Sequence, residues 1–212
     1  MSSLFKRFKK NLPISTSKGS VYYRRENIIS NYNDLTNVLE ADPNIPEAKT
    51  DEEISFNTIP LIDITIADLK KKFDNPSYVY NNENIDGHMV LFYKDSVAYY
   101  KFLIQYHFIN NKFFFAGNKI SSMGVLNDDD KQKIIGRVSK KYLKKDFDNT
   151  EGWKIKVIDP NGSIIHTLDD VYFHLYYLAG NETTKELIEQ YADHTPVQDK
   201  PTGFKESLDQ YI

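Results

Sequence analysis

A run of alternating residues between positions 97 and 109 constrains the fold of this chain more than any other feature of its sequence. Side chains of a β-strand point alternately to opposite faces of a sheet, so alternation over this length predicts a strand. The pair Asn110-Asn111 tolerates positive φ, which predicts a tight hairpin into a second strand over 112–117. One face of the run is expected to enter the core: Ala98, Tyr100, Phe102, Ile104, Tyr106 and Phe108.

The opposite face of the same run mixes apolar and polar side chains, so we expect it to contact water, a partner or a small ligand. A site could be assembled there around His107, and His88 on the strand expected beside it could join. A polar sheet face with incidental histidines is the alternative interpretation. The candidate ligand face consists of Tyr99, Lys101, Gln105 and His107.

Cap and turn signals divide the rest of the chain into helices and strands. Thr65, Asn127 and Asn181 each precede an amphipathic segment and are residue types that cap helix N-termini. The sequence predicts an α+β fold: one antiparallel sheet of about six strands, with helices packed on one face and extended arms at both ends. The expected helices cover 33–40, 66–73, 129–145 and 182–192, and the other strands cover 88–94, 153–158, 163–168 and 171–178. Residues 21–23 could form a further short strand within the N-terminal arm.

Two stretches of the chain repeat the order of one helix followed by three strands. Residues 71–75 resemble residues 145–149, and an acid-Gly pair followed by a strand comes after each. A tandem αβββ duplication would explain this, and chance similarity in a chain rich in Lys, Asp and Asn is the alternative. The helix-then-meander order over 60–180 resembles modules of the β-lactamase-inhibitor-protein type. This resemblance of topology carries no shared motif and implies binding to other proteins.

The net charge of −3 is an average over four blocks of opposite sign. Residues 1–25 carry seven basic and no acidic groups, and residues 26–86 carry four basic and thirteen acidic groups. Residues 87–158 carry thirteen basic and seven acidic groups, and residues 159–212 carry three basic and ten acidic groups. With the Pro-rich stretches, these blocks indicate four parts. We expect a basic N-terminal arm over 1–25, a helix and acidic Pro-containing linker over 26–59, a core domain over 60–194 and a C-terminal tail over 195–212.

The two ends carry short amphipathic segments that we expect to bind partners. In the arm, Leu4, Phe5 and Phe8 fall on one stripe of a helix. The stripe could dock in a partner's groove, on a membrane surface, on nucleic-acid phosphates or on the chain's own acidic segment. The basic residues around this stripe are Lys6, Arg7, Lys9 and Lys10. The C-terminal tail supplies further apolar anchors, which are Phe204, Leu208 and Tyr211.

Motifs of the common enzyme and cofactor classes do not occur in the sequence. A chain without cysteine has no thiolate nucleophile, disulfide or Cys-ligated zinc. No zinc-helix spacing of histidines, glycine-rich phosphate loop or nucleophile elbow is present. The acids at 128–130 lack the alternating spacing of a calcium loop and suit a helix N-terminus. We expect no catalytic residue, no metal and no cofactor.

These features favour a non-enzymatic bacterial interaction protein: an adaptor, a structural subunit of a multi-protein assembly, or an immunity- or inhibitor-type binder. We expect other protein subunits to bind through the arms, and a homo-oligomer is left open. The alternatives are a small-ligand binder or enzyme around His107, and membrane-surface or nucleic-acid binding through the N-terminal arm.

The basic residues and the apolar stretches limit the partner and the compartment. Only four of the 27 basic residues are Arg. Because Lys lacks the bidentate fork of Arg, sequence-specific nucleic-acid binding is not expected. A membrane surface is less favoured than a protein partner. Neither a membrane-spanning stretch nor a secretory signal is recognisable, so we expect a cytoplasmic protein.

Overall fold

The computed structural model of this chain describes residues 17–40, 45–150 and 152–191, which form five α-helices and ten β-strands. The helices are α1 (Ser17–Glu26), α2 (Tyr32–Glu40), α3 (Ile66–Phe73), α4 (Asp128–Val138) and α5 (Glu182–Tyr191), and α4 continues into a π-helical turn, Ser139–Leu143. The strands are β1 (Glu47–Lys49), β2 (Ser55–Phe56), β3 (Ile59–Pro60), β4 (Tyr78–Asn81), β5 (His88–Val97), β6 (Tyr100–Ile109), β7 (Lys112–Ser121), β8 (Lys156–Ile158), β9 (Ile164–Asp169) and β10 (Phe173–Leu178).

Eight of the described strands form one sheet in the order β1-β8-β9-β10-β7-β6-β5-β4, and β2 pairs with β3 in a separate hairpin. Neighbours in the main sheet are antiparallel except for β1 and β8, which are parallel. The α+β class is therefore confirmed. The sheet has eight strands rather than about six, because the short strands β1 and β4 extend its edges. β1 lies in the segment expected as linker, and no strand was expected over 78–81.

The central hairpins confirm one predicted turn and reveal another. Asn110 and Asn111 have φ of 50° and 65°, which gives the expected tight turn between β6 and β7. A second turn interrupts the alternating run, since Ala98 has a φ of 55° and β5 extends to Val97 before β6 begins. The sequence did not predict this turn because it contains no Gly, Asn or Asp, the residues that usually accept positive φ.

Helices cover both faces of the main sheet, whereas the sequence predicted helices on one face only. Helices α3 and α4 pack on the face that includes Tyr106 and Phe108. Helices α2 and α5 pack on the opposite face around Phe115, and α1 packs there through Tyr23 against Phe92. The prediction was wrong because polar side chains on the second face indicated contact with water, and these side chains bond to protein instead.

The segment between α1 and α2 lies directly against the second face of β6 and β7. The side-chain oxygen of Gln105 accepts a hydrogen bond from the Ile28 backbone N–H at 3.0 Å, and its amide nitrogen donates to the Glu26 carbonyl at 2.6 Å. Gly117 provides the necessary space, because the Ile28 side chain occupies the position that a Cβ would take there. Gln105 is therefore buried, and satisfying both ends of its amide offsets the cost of that burial.

The segments expected as arm and linker contribute to the packed structure from Ser17 onward. Residues 21–23, interpreted as a short strand, lie within α1. In the expected linker 26–59, β1 joins the main sheet beside β8, and Glu47 pairs with the Lys156 ammonium at 2.8 Å. Residues 1–16 and 192–212, which include the expected anchors of both ends, lie outside the described residues.

Three helix starts were correctly predicted from their capping residues. The side chains of Thr65, Asn127 and Asn181 accept hydrogen bonds from backbone N–H groups three residues later, at 3.1, 2.9 and 3.0 Å. Each bond satisfies one of the N–H groups that have no partner within the helix. Local sequence thus determines where α3, α4 and α5 begin.

We predict opposite effects on stability for two glycine-to-alanine substitutions. A Cβ at Gly180 would collide with backbone of the β8–β9 turn, including the nitrogen of Ser163 at 2.6 Å. Gly180→Ala should therefore lower the free energy of unfolding by roughly 1–3 kcal/mol. A Cβ at Gly136 in α4 meets nothing within 4 Å, so Gly136→Ala should raise it by roughly 0.5–1 kcal/mol. Urea unfolding of both variants measures the difference, and equal effects would contradict this account of Gly180.

Candidate interaction surface

The four residues of the expected ligand face do not form one site. Gln105 and His107 are buried beneath the second-face layer, Lys101 is exposed, and Tyr99 lies in the β5–β6 turn. The Tyr99 hydroxyl donates to the Asp130 carboxylate of α4 at 2.7 Å, which places it toward the opposite layer of helices. Alternation placed these four residues on one strand face, but the turn at Ala98 separates Tyr99 from the others.

His88 and His107 do lie together, as the sequence suggested, and they form a buried hydrogen-bonded pair. His88 Nε2 lies 3.0 Å from His107 Nδ1, and the rings stack with 5.2 Å between their centres. Asn82 accepts from the Asn84 backbone N–H, which fixes its amide orientation, and its nitrogen lies 3.0 Å from His88 Nδ1. Asn82 therefore donates to His88, and neutral His88 donates from Nε2 to His107 Nδ1.

The histidine pair helps to hold the N-terminal segment in place. The Asn82 amide nitrogen that donates to His88 also donates to the Ile29 carbonyl at 3.0 Å. Burial lowers the pKa of His88 to about 4, and burial together with the nearby His88 lowers the pKa of His107 as well. Both rings are thus neutral at pH 7 and out of reach of a substrate, so their observed role is structural.

A different part of the molecule presents apolar side chains to solvent. Three loops at one end of the main sheet carry large apolar residues, including Met123 at 95%, Val171 at 71% and Val125 at 70% exposure. Monomeric soluble proteins rarely expose such residues in contiguous groups unless another molecule covers them. We call this group the end surface, and its six residues are Val97, Tyr99, Met123, Val125, Val171 and Tyr172.

Strand register places the three loops of the end surface beside one another. Phe102 of β6 pairs with Ile120 of β7, which pairs with Phe173 of β10. The β5–β6 turn, the loop that follows β7 and the β9–β10 turn therefore leave the sheet at the same end. At a strand spacing of about 4.8 Å, the two outer turns lie about 14 Å apart along the sheet. This span suits a single binding surface.

Polar contacts hold the bases of two of these loops, the β5–β6 turn and the β9–β10 turn. The hydroxyls of Tyr99 and Tyr100 both donate to Asp130, at 2.7 and 2.8 Å, and these hydrogen bonds lower the pKa of that carboxyl. The Lys119 ammonium lies 3.3 Å from the centre of the Tyr172 ring and 2.7 Å from the Glu26 carboxylate. The β5–β6 turn is thus tied to α4, and the β9–β10 turn is tied through Lys119 to α1.

Carboxylates border the end surface. Asp95, Asp128, Asp129 and Asp170 are exposed, and none of them pairs with a lysine or arginine of the described part of the chain. Exposed Lys94, Lys101 and Lys133 lie at the same end, and the Lys133 ammonium lies 3.9 Å from the Asp130 carboxylate, so the border carries both signs of charge with a small excess of acids. This charge distribution favours a ligand that combines apolar with basic groups.

A cleft of about 780 Å³ lies between α2 and β9. Its lining includes Asp34 and Glu40 on one side and His166 and Asp169 on the other. Across the described ranges, no group of three or more acidic or histidine side chains is placed to hold a metal ion.

The sequence contained only a weak signal for the end surface. Met123 and Val125 stand beside Gly124 in a loop where polar residues are usual, and Val171 follows two aspartates at a strand end. An isolated apolar residue in a loop carries little information, because much of a folded protein's surface is apolar. The register of the three hairpin ends was needed to bring these residues together.

The histidine pair makes stability depend on pH. Unfolded His88 binds a proton near pH 6.5, whereas the folded residue does so only near pH 4, so stability rises with pH through this window. Lowering the pH from 7.5 to 5 should reduce the free energy of unfolding by at least about 2 kcal/mol. Urea titrations at several pH values measure this. A double variant, His88→Gln with His107→Gln, should flatten the dependence above pH 5, and an unchanged slope would contradict this assignment.

No helix within the described ranges is both long and apolar enough to span a membrane. Comparison of the chain with known protein families, with curated proteins and with solved structures finds no match.

Proposed function

We propose that this chain is a non-enzymatic protein-protein interaction module that binds its partner through the end surface. The exposure of six large apolar side chains on three adjacent loops carries the proposal. Loops on a rigid sheet are a common location for binding residues. Asp130 and Lys119 fix the bases of two of these loops, so less ordering entropy opposes association there than for free loops.

The chemistry of the border identifies the class of partner. Carboxylates that have no lysine or arginine partner border the apolar centre, and they attract a segment that is both apolar and basic, such as an amphipathic basic helix of another protein. Met123 and Tyr99 are suited to the centre, since Met adapts to varied shapes and Tyr contributes a large contact area. An adaptor or a subunit of a bacterial cytoplasmic assembly would use such a surface.

The alternatives receive less support from the geometry. A ligand site around His107 would need an accessible imidazole, and His107 is fully buried. Membrane-surface or nucleic-acid binding through the N-terminal arm depends on residues outside the described ranges and stays a prediction. Binding of further protein subunits through the arms, and assembly as a homo-oligomer, likewise stay predictions.

We also propose that the core arose by tandem duplication of an αβββ unit. The units would be α3 with β5, β6 and β7, and α4 with β8, β9 and β10. In the sheet the two meanders lie side by side in the order β8-β9-β10-β7-β6-β5, so the last strand of one unit pairs with the last strand of the other. A two-fold axis perpendicular to the sheet would produce this order, and it would place the helices of both units on the same face, where α3 and α4 pack. On this proposal, β4 and β1 are additions at the edges.

Site-specific photo-crosslinking in the source organism tests the proposed function. A photoreactive phenylalanine analogue at Met123 in the full chain should capture a protein through a segment rich in apolar and basic residues. Adding Val171→Asp should reduce capture at least tenfold, because it places a charge in the apolar centre.

Two matched controls use exposed apolar positions away from the end surface. Val79 on β4 is 44% exposed, and Val79→Asp should leave capture from position 123 unchanged. The same analogue at Ile188 on α5 should not capture the protein. No capture from position 123, equal capture from position 188, or contact through an acidic segment would overturn the proposal.

A further inference from the structure

We propose that the β2–β3 hairpin and the lysines on either side of it bind a diphosphate group, carried by a nucleotide or present as inorganic pyrophosphate. This site shares no residue with the end surface and adds a small ligand to the proposed protein partner. The proposal rests on two exposed ammonium groups that uncharged acceptors hold in place, those of Lys72 and Lys141.

Lys72 of α3 contacts the turn of the hairpin. Its ammonium donates to the Asn57 carbonyl and to the Thr58 hydroxyl. The Asn57 amide in turn donates to the hydroxyl of Tyr106 at 2.8 Å, and the Tyr106 side chain is fully buried. The core thus fixes the turn, and the turn fixes the ammonium.

Lys141, in the π-helical turn after α4, has a similar arrangement at the first residue of the hairpin. Its ammonium donates to the Ser55 hydroxyl at 3.1 Å and to the Tyr142 hydroxyl at 2.8 Å. The Tyr142 hydroxyl also accepts from the Ser55 backbone N–H at 3.2 Å, and its side chain is buried. A buried tyrosine therefore anchors each of the two lysines.

Both lysines keep charge and hydrogen-bond donors for a ligand. Neither pairs with a carboxylate of the described residues, whereas nearby Lys144 is neutralised by Glu52 at 2.9 Å. Each ammonium has three N–H donors and uses two, and the Ser55 and Thr58 hydroxyls that accept from them keep their own O–H donors. Because these groups are already ordered, less entropy opposes the binding of an anion.

Thr58 has a backbone conformation that its side chain disfavours. Its φ is 65°, and positive φ is exceptional for a β-branched residue. Glycine would make the same turn without strain. Strain of this kind clusters at binding sites, and what threonine adds over glycine here is the hydroxyl beside Lys72.

The spacing of the two ammonium groups favours two linked phosphates over one. Ser55 and Asn57, to which they donate, are two residues apart, or about 6.6 Å at strand spacing. With one hydrogen bond at each end, the ammonium groups lie on the order of 10 Å apart. Two charge-assisted bonds of about 2.8 Å then leave about 4–5 Å between the acceptor oxygens. Oxygens of one phosphate lie closer together than that, whereas those of neighbouring phosphates span it.

The surroundings favour a short anion. A groove of about 410 Å³ between the hairpin and α3 offers space, and its lining includes Lys71 and one acid, Asp68, which accepts from the Thr65 hydroxyl at 2.6 Å. Exposed Asp63 and Asp74 lie just before and just after α3. These acids would repel a long polyanion such as a nucleic-acid strand more than a diphosphate at the hairpin.

Calorimetric titration of the full chain with pyrophosphate at low ionic strength tests the proposal. Lys72→Gln with Lys141→Gln should weaken binding roughly tenfold or more, because both charged donors are lost. As a matched control, Lys112→Gln with Lys145→Gln removes the same charge from exposed lysines whose ammonium groups have no described partner, and binding should not change. Equal losses in the two variants, or no binding by the unchanged chain, would overturn the proposal.

Other anions identify the group that is bound. ADP binding as tightly as pyrophosphate would assign the site to the diphosphate alone, and tighter binding of ADP would identify a nucleotide as the source. Orthophosphate should bind roughly tenfold more weakly or less tightly still, since it cannot engage both ammonium groups at once. Equal affinity for orthophosphate would mean an adventitious ion only and would refute the diphosphate site.

A variant of the turn separates binding from folding. Thr58→Gly should raise the midpoint of urea unfolding, because glycine accepts positive φ, and should weaken pyrophosphate binding, because the hydroxyl is lost. Unchanged binding or a lower midpoint would contradict the role assigned to Thr58. Crosslinking from position 123 decides the proposed function separately from all of these results.

Discussion

The contact between the Gln105 amide and the backbone at Glu26 and Ile28 is the interaction on which the two-sided architecture depends. A glutamine in the middle of a long central strand would otherwise leave unsatisfied polar groups in an apolar layer. The backbone of the segment between α1 and α2 satisfies both ends of that amide and is held across the sheet by it. Helix α1 then reaches Phe92 and helix α2 reaches the layer around Phe115, so the second face becomes a second core.

The parts of the fold that could be predicted were those determined by neighbouring residues. Thr65 and Asn127 cap helices through bonds to N–H groups three residues away, and the turn at Asn110 needs only a residue that accepts positive φ. The parts that could not be predicted depend on distant residues. Gln105 contacts a segment almost eighty positions earlier, so its polarity indicated exposure when the residue is in fact buried. Strand β1 is stable only beside β8, and three residues give no strand signal alone.

The residues of the candidate site were also predicted only where contacts between sequence neighbours determine their positions. Of the residues expected to form a ligand face, Tyr99 is the one that reaches the end surface, and it does so because the strand turns at Ala98. The histidines were correctly expected to lie near each other, but their burial removes them from solvent. Met123 and Val171 are separated by almost fifty residues, and only the pairing of β7 with β10 makes their loops neighbours.

The order in which the chain leaves the ribosome gives the segment before α2 a particular role. Residues 26–29 are synthesised long before Gln105 and the β5–β6–β7 meander that they cover, so they have no docking surface until that meander exists. The meander has short-range contacts and can form early, whereas the contact with residues 26–29 requires closing a loop of nearly eighty residues. Residues 26–29 should therefore cover the second face of the sheet late in folding. Until then the buried histidines and Phe115 are open to water, and in this interval the nascent chain is most exposed to chaperones and to misassociation.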